Sequence, residues 1–430
     1  MRVLAALLLL FAAPAAANPQ ILVLEPATPL TLGSVAFEGG RTIAFSIGIG
    51  SGAFRSRHDP PDVVWTVSDR GPNIACAQAR AITGVPRERI CAAATNGRIY
   101  PVPAYAPTIY GLRLDPERGV FHVFDAIALK TADGRPIDGL LNPLTVATTE
   151  IPLDARGRVL AQNASAVDAE GIVRLADGTF WIGEENAPSI LHVAADGRIL
   201  LRLVPAGTGA DFAGAGYPVF EGLPAILAKR STNRGIESMA VSPDERFLYT
   251  MLQNPLANPD ARAYQQARNT RLLKIERATL RVVGQYVYQL DDPRSFRKDP
   301  SDRQSDPRIS ELTALGTDRL LVLERTEATT KLYEVDLAAG ATNILGTRWD
   351  DPATRPTLEQ SNDLAGTGIV PLGKRLVFDS ADHPEAPAKI EGVAVLPDGA
   401  LFLINDDDFG IAGERTVGLI VRGLDIRLSD

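Results

Sequence analysis

The chain has 430 residues but only two cysteines and four histidines, so it is poor in the side chains that bind transition metals. The pair Cys76 and Cys91 has no histidine cluster nearby, which argues against a zinc site. No Gly-x-Ser-x-Gly elbow occurs, which argues against a serine hydrolase built on that motif. The net charge of −8 disfavours a nucleic-acid surface. After residue 17, no stretch approaches the roughly 20 apolar residues of a membrane-spanning helix.

The first 17 residues have the pattern of a secretory signal. Arg2 precedes the apolar run 3–11, and small residues end at Ala17. We therefore expect cleavage after Ala17, a mature domain of residues 18–430 and a periplasmic or secreted protein. In an exported chain, Cys76 and Cys91 are expected to form a disulfide in preference to free thiols.

Five pairs of strands recur along the chain, and each begins at an acidic residue and ends in a polar cluster. The clearest copies run from Glu170 to Glu185 and from Glu391 to Asp406, each around an Asp-Gly turn typical of a β-hairpin. The other copies begin at Glu237, at Glu311 and, in a longer version, at Glu38. If such hairpins pack radially, their acidic residues gather around one axis.

A second hairpin follows most of these pairs, and two hairpins give the four strands of a propeller blade. We therefore predict an all-β fold, a single β-propeller of six four-stranded blades with long loops at its mouth. Five to seven blades are compatible with the uneven spacing. Residues 367–379 are expected to belong to the sixth blade, and residues 21–24 to close the ring by pairing with the last blade.

Polar segments at the hairpin ends carry a resemblance to a known family. They are Ser68-Asp69-Arg70-Gly71, Asp168-Ala169-Glu170-Gly171-Ile172, Glu184-Glu185-Asn186-Ala187-Pro188, Asn233-Arg234-Gly235-Ile236-Glu237-Ser238, Gln253-Asn254-Pro255-Leu256, Leu323-Glu324-Arg325, Lys389-Ile390-Glu391-Gly392-Val393 and Asn405-Asp406-Asp407-Asp408-Phe409-Gly410. In this order they resemble the phytase-like family, also described by its esterase-like activity of phytase, over nearly the whole chain. The resemblance implies a secreted bacterial β-propeller that hydrolyses esters or phosphoesters and is related to calcium-dependent propeller phytases.

Carboxylates that converge in a low-dielectric opening must be protonated, paired with arginine or neutralised by a metal ion. Two interpretations follow from the residues: a network of glutamate and arginine contacts between blades, or ligation of a cation. The donors are mainly oxygens, so the cation expected is Ca²⁺. The predicted metal ligands are Glu38, Asp69, Glu170, Glu237, Glu311, Glu324 and Glu391.

Four further residues at the hairpin ends are predicted to act on a substrate. Glu185 and Asp406 are candidates for a general base, since each ends an inner hairpin where the mouth loops begin. Arg70 and Arg325 are candidates for holding an anionic group bidentately. The alternative for both arginines is neutralisation of the adjacent acids in the sequence.

The function predicted from these features is an exported, Ca²⁺-dependent hydrolase of phosphoesters or carboxylic esters, with its site at the axial mouth. Two alternatives stay open. One is a non-catalytic propeller that binds a ligand or a protein and uses Ca²⁺ structurally, and the other is a propeller lactonase. The expected partner is a small anionic or ester substrate, with no nucleic acid and no membrane span, and the expected state is a monomer.

Overall fold

The computed structural model of the protein describes residues 19–429. The predicted signal segment, residues 1–17, lies outside the described residues, so its cleavage stays a prediction. The strands are β1 (Gln20–Pro26), β2 (Thr31–Ala36), β3 (Thr42–Ser46), β4 (Gly52–Phe54), β5 (Val63–Val67), β6 (Ile74–Ala75), β7 (Arg98–Tyr100), β8 (Thr108–Asp115), β9 (Val120–Ala128), β10 (Pro152–Asp154), β11 (Ala169–Arg174), β12 (Phe180–Glu184), β13 (Ser189–Val193), β14 (Ile199–Pro205), β15 (Val219–Leu223), β16 (Ile236–Val241), β17 (Phe247–Leu252), β18 (Asn269–Glu276), β19 (Arg281–Gln289), β20 (Arg308–Gly316), β21 (Arg319–Arg325), β22 (Thr330–Asp336), β23 (Arg375–Asp379), β24 (Ile390–Val395), β25 (Leu401–Asn405) and β26 (Gly418–Arg422).

Helices are few and short. The α-helices are α1 (Ala79–Thr83), α2 (Arg87–Ile90) and α3 (Ala261–Gln266). Single 3-10 turns cover Cys76–Gln78, Gly209–Phe212, Ala225–Lys229, Pro293–Ser295, Arg348–Asp350, Leu358–Gln360, Ser380–Asp382 and Asp408–Gly410. Within residues 19–429, no helix is long and apolar enough to cross a membrane.

Five antiparallel four-stranded units surround a common axis. Their strand orders are β4-β5-β8-β9, β11-β12-β13-β14, β16-β17-β18-β19, β20-β21-β22-β23 and β24-β25-β26-β1. The first strand of each unit contacts the first strand of the next, and β24 contacts β4, so the inner strands form a closed ring. This is a β-propeller, which confirms the predicted fold class.

The ends of the chain meet in the last blade. Strand β1 pairs antiparallel with β26, with Leu22 opposite Ile420, and this confirms the predicted closure by residues 21–24. The segment 367–379 does not begin a sixth blade, because β23 pairs with β22 and completes the fourth unit. The described residues therefore form five blades, the lower end of the expected range. The uneven spacing of the hairpins reflects insertions within blades.

The inner strands are buried on both faces because each blade is covered by its neighbours. All six residues of β16 and the first five of β11 are buried. Between the second and third blades, for example, Val173 and Trp181 pack in one cluster with Leu248 and Leu273. Each such aliphatic side chain contributes about 1.5–3 kcal/mol when fully buried. Apolar runs on both faces therefore stabilise the stacking of one blade on the next.

Two insertions, one between β5 and β8 and one between β9 and β11, form a cap beside the axis. Strands β6, β7 and β10 make a three-stranded sheet, and α1 and α2 pack next to it. The cap has its own small core, which includes Phe37, Ile99 and Leu153. A disulfide joins Cys76 to Cys91 inside this core, as the sequence predicts. The cap is thereby a rigid element that can position polar side chains over the axis.

Candidate axial site

A polar cavity of about 170 Å³ lies on the propeller axis, at the end where the inner strands begin; we call it the acidic cavity. Its carboxylates are Asp69, Asp168, Glu170, Glu185, Glu237, Glu327, Glu391, Asp406 and Asp408, and its basic side chains are Arg70, Arg98, Arg234, Arg308, Arg325 and Lys389. The nine carboxylates exceed the six basic groups by three. Acidic residues from separate blades therefore do converge at one opening.

A β-bulge at the start of the inner strands aims side chains at this cavity. In β16, Ile236 pairs with Leu252 and Ser238 pairs with Met251, which leaves Glu237 as the extra residue. The same shift occurs in β11, β20 and β24. The equivalent extra residues are Glu170, Ser310 and Glu391. A bulge redirects a side chain, and here it turns one residue of each strand inward.

These redirected residues form a first ring around the axis. In the first blade the equivalent residue is Ser51, which directly precedes β4 and lines the cavity. Carboxylate oxygens of Glu170, Glu237 and Glu391 lie within 4.8 Å of one another. A second group of oxygens within 4.8 Å of one another joins Glu170 to Asp69 and Asp168. Glu170 is thus common to two groups that could each hold a metal ion.

A second ring lies at the ends of the partner strands. Its members are Asp69, Glu185, Gln253, Arg325 and Asp406, which end or follow β5, β12, β17, β21 and β25 and all line the cavity. Sequence analysis found four of these five. Gln253 stands in a segment that carries the family resemblance, but no role was predicted for it, because a search for charged residues passes over an amide at the equivalent position.

Three predicted ligands, Glu38, Glu311 and Glu324, do not line the cavity. Glu38 lies at the surface. It lies between β2 and β3, a two-stranded hairpin that belongs to no blade, and its carboxylate pairs with Arg89 at 2.8 Å on the surface. The prediction took this acid for the start of an inner strand. The first blade instead begins at β4, and Ser51 occupies the position that the prediction gave to Glu38.

Glu324 faces away from the axis because it precedes Arg325 by one residue, and successive strand residues point to opposite faces. Its side chain accepts a hydrogen bond from the hydroxyl of Tyr288 at 2.7 Å and pairs with Lys374 at 2.6 Å. Arg325 takes the cavity position in this blade. The acid of this hairpin therefore belongs to a buried ion pair within the blade.

Glu311 lies next to the site but serves the scaffold. It follows the bulged Ser310 and is fully buried. Its carboxylate accepts hydrogen bonds from the backbone N–H groups of Ala53 at 3.1 Å, Met239 at 3.2 Å and Leu312 at 2.9 Å. These donors belong to β4, β16 and β20, so one side chain ties three blades together. Burial raises the pKa of Glu311 well above its usual value, although the three N–H donors oppose the rise.

Two glutamates of the acidic cavity carry oxygens without a partner. The Oε2 atoms of Glu170 and Glu237 are inaccessible to solvent and accept no hydrogen bond from the described residues. Burial raises the pKa of Glu170 well above its usual value, and the carboxylates of Glu237 and Asp168 raise it further. Buried acceptors that lack partners are costly, at about 1–3 kcal/mol each. A hard cation with oxygen ligands would satisfy them, so the donor set fits Ca²⁺.

The basic side chains are mostly paired, but not with the acids adjacent to them in sequence. Arg70 lies 3.2 Å from Asp168 and 3.4 Å from Glu150. Arg325 pairs with Glu391, and its Nε donates to the Ser310 hydroxyl at 2.9 Å. The alternative role predicted for Arg70 and Arg325, neutralising a carboxylate, is therefore seen, with different partners.

Two carboxylates of the second ring differ in their protonation. Burial raises the pKa of Glu185 well above its usual value, and Glu237 and Asp168 add to the rise, whereas Arg234 at 3.3 Å opposes it. Burial also disfavours an ionised Asp406, but Lys389 at 3.1 Å outweighs it, and the pKa of Asp406 is lowered. Asp406 is therefore ionised at neutral pH and Glu185 holds a proton more tightly.

Several residues of the cavity escaped the sequence prediction although a positional signal existed. Asp168, Arg308 and Lys389 each stand two residues before a bulged residue, so their offset repeats from blade to blade. The Nε of Arg308 is buried and has no hydrogen-bond partner among the described residues. Arg308 is therefore a donor available to a ligand.

Comparisons with known proteins give one strong family match and distant structural neighbours. The model of the family described as "Phytase-like: Esterase-like activity of phytase" matches residues 50–409. An "Uncharacterized secreted protein" of Arthroderma benhamiae is 28% identical over 233 residues, which cover 47% of this chain and 45% of that protein. The chain thus matches less than half the length of that relative.

Two solved structures illustrate the structural neighbours. The PQQ-bound aldose sugar dehydrogenase of Streptomyces coelicolor is 12% identical, with 95% of this chain and 100% of that chain covered, at a TM-score of 0.34. A luciferin-regenerating enzyme is 10% identical, with 96% and 98% covered, at a TM-score of 0.36. These TM-scores are low, and nothing about this chain is concluded from them.

Proposed function

The chain belongs to the phytase-like family described by its esterase-like activity of phytase, and on that basis we propose that it hydrolyses ester bonds in its acidic cavity. The substrates proposed are phosphoesters or carboxylic esters with an anionic group. One observation carries the proposal: the unpartnered buried oxygens of Glu170 and Glu237 belong to the same small cavity as Arg308, whose Nε lacks a hydrogen-bond partner among the described residues. Such a site suits a cation and an anion together.

We propose Ca²⁺ as the cation, held by Glu170, Glu237 and Glu391 and, through Glu170, by Asp69 and Asp168. All of these donors are carboxylate oxygens, which hard cations prefer. When bound, the ion would polarise a phosphoryl or carbonyl oxygen and lower the pKa of a water molecule. It would also relieve the repulsion between the three glutamates of the first ring.

The chain's own residues would move the protons. Asp406, kept ionised by Lys389, is proposed as the general base that accepts a proton from water. Glu185, whose pKa is raised, is proposed as the proton donor to the leaving group. Two carboxylates with pKa values pushed apart by their surroundings are the usual basis of such a division of roles.

Basic side chains at the rim would bind and orient the substrate. Arg308 offers a free Nε, and Arg98 extends from the disulfide-bonded cap into the cavity. Arg70 and Arg325 face the same cavity and would add charge to an anion-binding surface, although both already contact carboxylates. A planar guanidinium can bind two oxygens of a phosphate or carboxylate at once.

We also propose that the protein works outside the cytoplasm as a monomer. The predicted signal segment, the disulfide and the printed description of the fungal relative as secreted support export. The Cys76–Cys91 bond is buried in the cap, where it stabilises one wall of the site.

The test is a hydrolysis assay on protein purified without chelators, with its metal content measured. Nitrophenyl phosphate, nitrophenyl acetate and simple lactones serve as substrates, with and without EDTA. We expect EDTA and Glu237→Gln to abolish hydrolysis of at least one ester, while the exposed turn variant Asp398→Asn keeps full activity. Metal binding with inertness towards every substrate would refute the hydrolase and favour the binding protein, and turnover of lactones alone would favour the lactonase.

A further inference from the structure

A second cavity, of about 210 Å³, lies at the opposite end of the propeller axis; we call it the basic cavity. The last residues of the inner strands form its wall, namely Phe54, Arg174, Val241, Leu315 and Val395. It is therefore built by all five blades, as the acidic cavity is. Neither the family match nor the proposed chemistry assigns it a role.

The two cavities are separate. Strand β20 runs from Ser310, beside the acidic cavity, to Leu315 in the basic cavity, and five residues of strand span about 17 Å. Glu311, fully buried, lies between them and is hydrogen-bonded to three inner strands. A molecule in one cavity therefore does not touch the residues of the other.

The charge of the basic cavity is opposite to that of the chain. Arg55, Arg57, Arg174 and His58 line it against one carboxylate, Glu245, whereas the whole chain has a net charge of −8. Two of these groups have acidic partners: Arg174 pairs with Asp59 at 2.5 Å, and His58 lies 3.7 Å from Glu245. The excess of basic groups favours an anion.

Two donors in this cavity lack partners. The Nε atoms of Arg55 and Arg174 are inaccessible to solvent and make no hydrogen bond with the described residues. Burial lowers the pKa of Arg55, although the carboxylate of Asp59 opposes the fall. An anion bound between the two guanidinium groups would supply the missing acceptors, since unmade buried hydrogen bonds cost about 1–3 kcal/mol each.

The remainder of the wall is apolar. Phe54 and Val395 are partly exposed in it, and Leu428, on the C-terminal segment, is 49% exposed at its edge. A hydrated inorganic ion would leave these apolar surfaces in contact with water. An apolar chain would cover them and gain about 25 cal/mol for each Å² removed from water.

We propose that the basic cavity binds a small amphipathic carboxylate, with its charged head on Arg55 and Arg174 and its apolar chain against Phe54, Val395 and Leu428. The proposal does not depend on the hydrolase function. The head group would complete the hydrogen bonding of the two arginines, and the chain would remove the exposed apolar surface of the wall from water. Recognition would require both parts of the ligand.

Isothermal titration calorimetry with octanoate on the full-length mature protein tests this. We expect octanoate to bind at least tenfold more tightly than acetate, which lacks the chain, and than 1-octanol, which lacks the charge. Arg55→Gln and Leu428→Asp should each weaken octanoate binding at least tenfold. The exposed Arg118→Gln is the matched control for loss of a positive charge and should bind like the wild type. Glu237→Gln, in the acidic cavity, should also leave binding unchanged.

Equal binding of octanoate to the wild type and to Arg55→Gln would overturn the proposal, as would equal binding of octanoate and 1-octanol. Acetate that binds as tightly as octanoate would also overturn it, because the apolar wall would then contribute nothing. If Arg55→Gln fails to fold by circular dichroism, Leu428→Asp and the comparison of the three ligands on the wild type decide the question.

Discussion

Replacement of Glu311 by leucine should destabilise the propeller more than loss of any exposed acid. Glu311 is fully buried on the axis and accepts backbone N–H groups from three inner strands. Leucine has a similar size but cannot accept a hydrogen bond, and it leaves no room for a water molecule to do so. The N–H groups of Ala53, Met239 and Leu312 would then be buried without acceptors.

The expected magnitude follows from these contacts. Three orphaned donors cost about 3–9 kcal/mol at 1–3 kcal/mol each. Removal of a buried carboxylate offsets part of this cost, because burial raises the pKa of Glu311 and so opposes its ionised form. We expect a net loss of about 2 kcal/mol or more, which lowers the Tm by at least about 2 °C in a domain of this size. Glu311→Gln keeps one acceptor oxygen and should lose less than Glu311→Leu.

Differential scanning fluorimetry and far-ultraviolet circular dichroism at neutral pH measure this difference. Glu117→Leu, at an exposed turn between β8 and β9, is the control for the chemical change itself. If Glu311→Leu melts within about 1 °C of Glu117→Leu, the three backbone contacts contribute no net stability, and the description of Glu311 as a tie between blades is wrong.

Three further predictions concern the metal, the pH and one glycine. Added Ca²⁺ should raise the Tm of the wild type but not that of Glu237→Gln. At a hundred times its Kd, the ion should stabilise the wild type by about 2.7 kcal/mol. An equal rise in the Tm of both proteins would place the ion elsewhere. Burial opposes ionisation of Asp291, but Lys374 and its neighbours lower its pKa to about 2. The ionised Asp291 should therefore contribute about 2 kcal/mol to the free energy of unfolding above pH 4, and this contribution should be lost as the pH falls towards 2. Urea unfolding of Asp291→Asn over the same pH range should show no such loss. A Cβ on Gly235 would lie 2.1 Å from the Glu185 carbonyl oxygen, so Gly235→Ala should lower both Tm and activity, whereas Gly373→Ala, in open space, should change neither.

The sequence predicted the blades well because their chemistry is local. Asp-Gly turns such as Asp177-Gly178 and Asp398-Gly399 place glycine at a positive φ, and apolar residues on both sides give the buried strands. The number of blades was harder to predict. Pairing of β23 with β22 is set by contacts over a long insertion, which no short pattern in the sequence records.

The sequence indicated which acids line the cavity wherever the acid stands at the bulge, and their role as ligands stays a prediction. Glu170, Glu237 and Glu391 occupy that position, whereas in the fourth blade Ser310 does and Glu311 falls one residue later. Since neighbouring strand residues face opposite sides, one residue decides between ligand and scaffold. Alignment on the preceding apolar residue, rather than on the acid, would have found Ser310.

The pairing of β1 with β26 has a consequence for how the circle of blades is held shut. The first described strand finds its antiparallel partner only in residues 418–422, at the other end of the described chain. Removal of either strand would therefore leave the fifth blade incomplete, and the remaining four cannot close the circle. The two ends of the described chain act as a clasp, so damage to one of them should be felt by every blade.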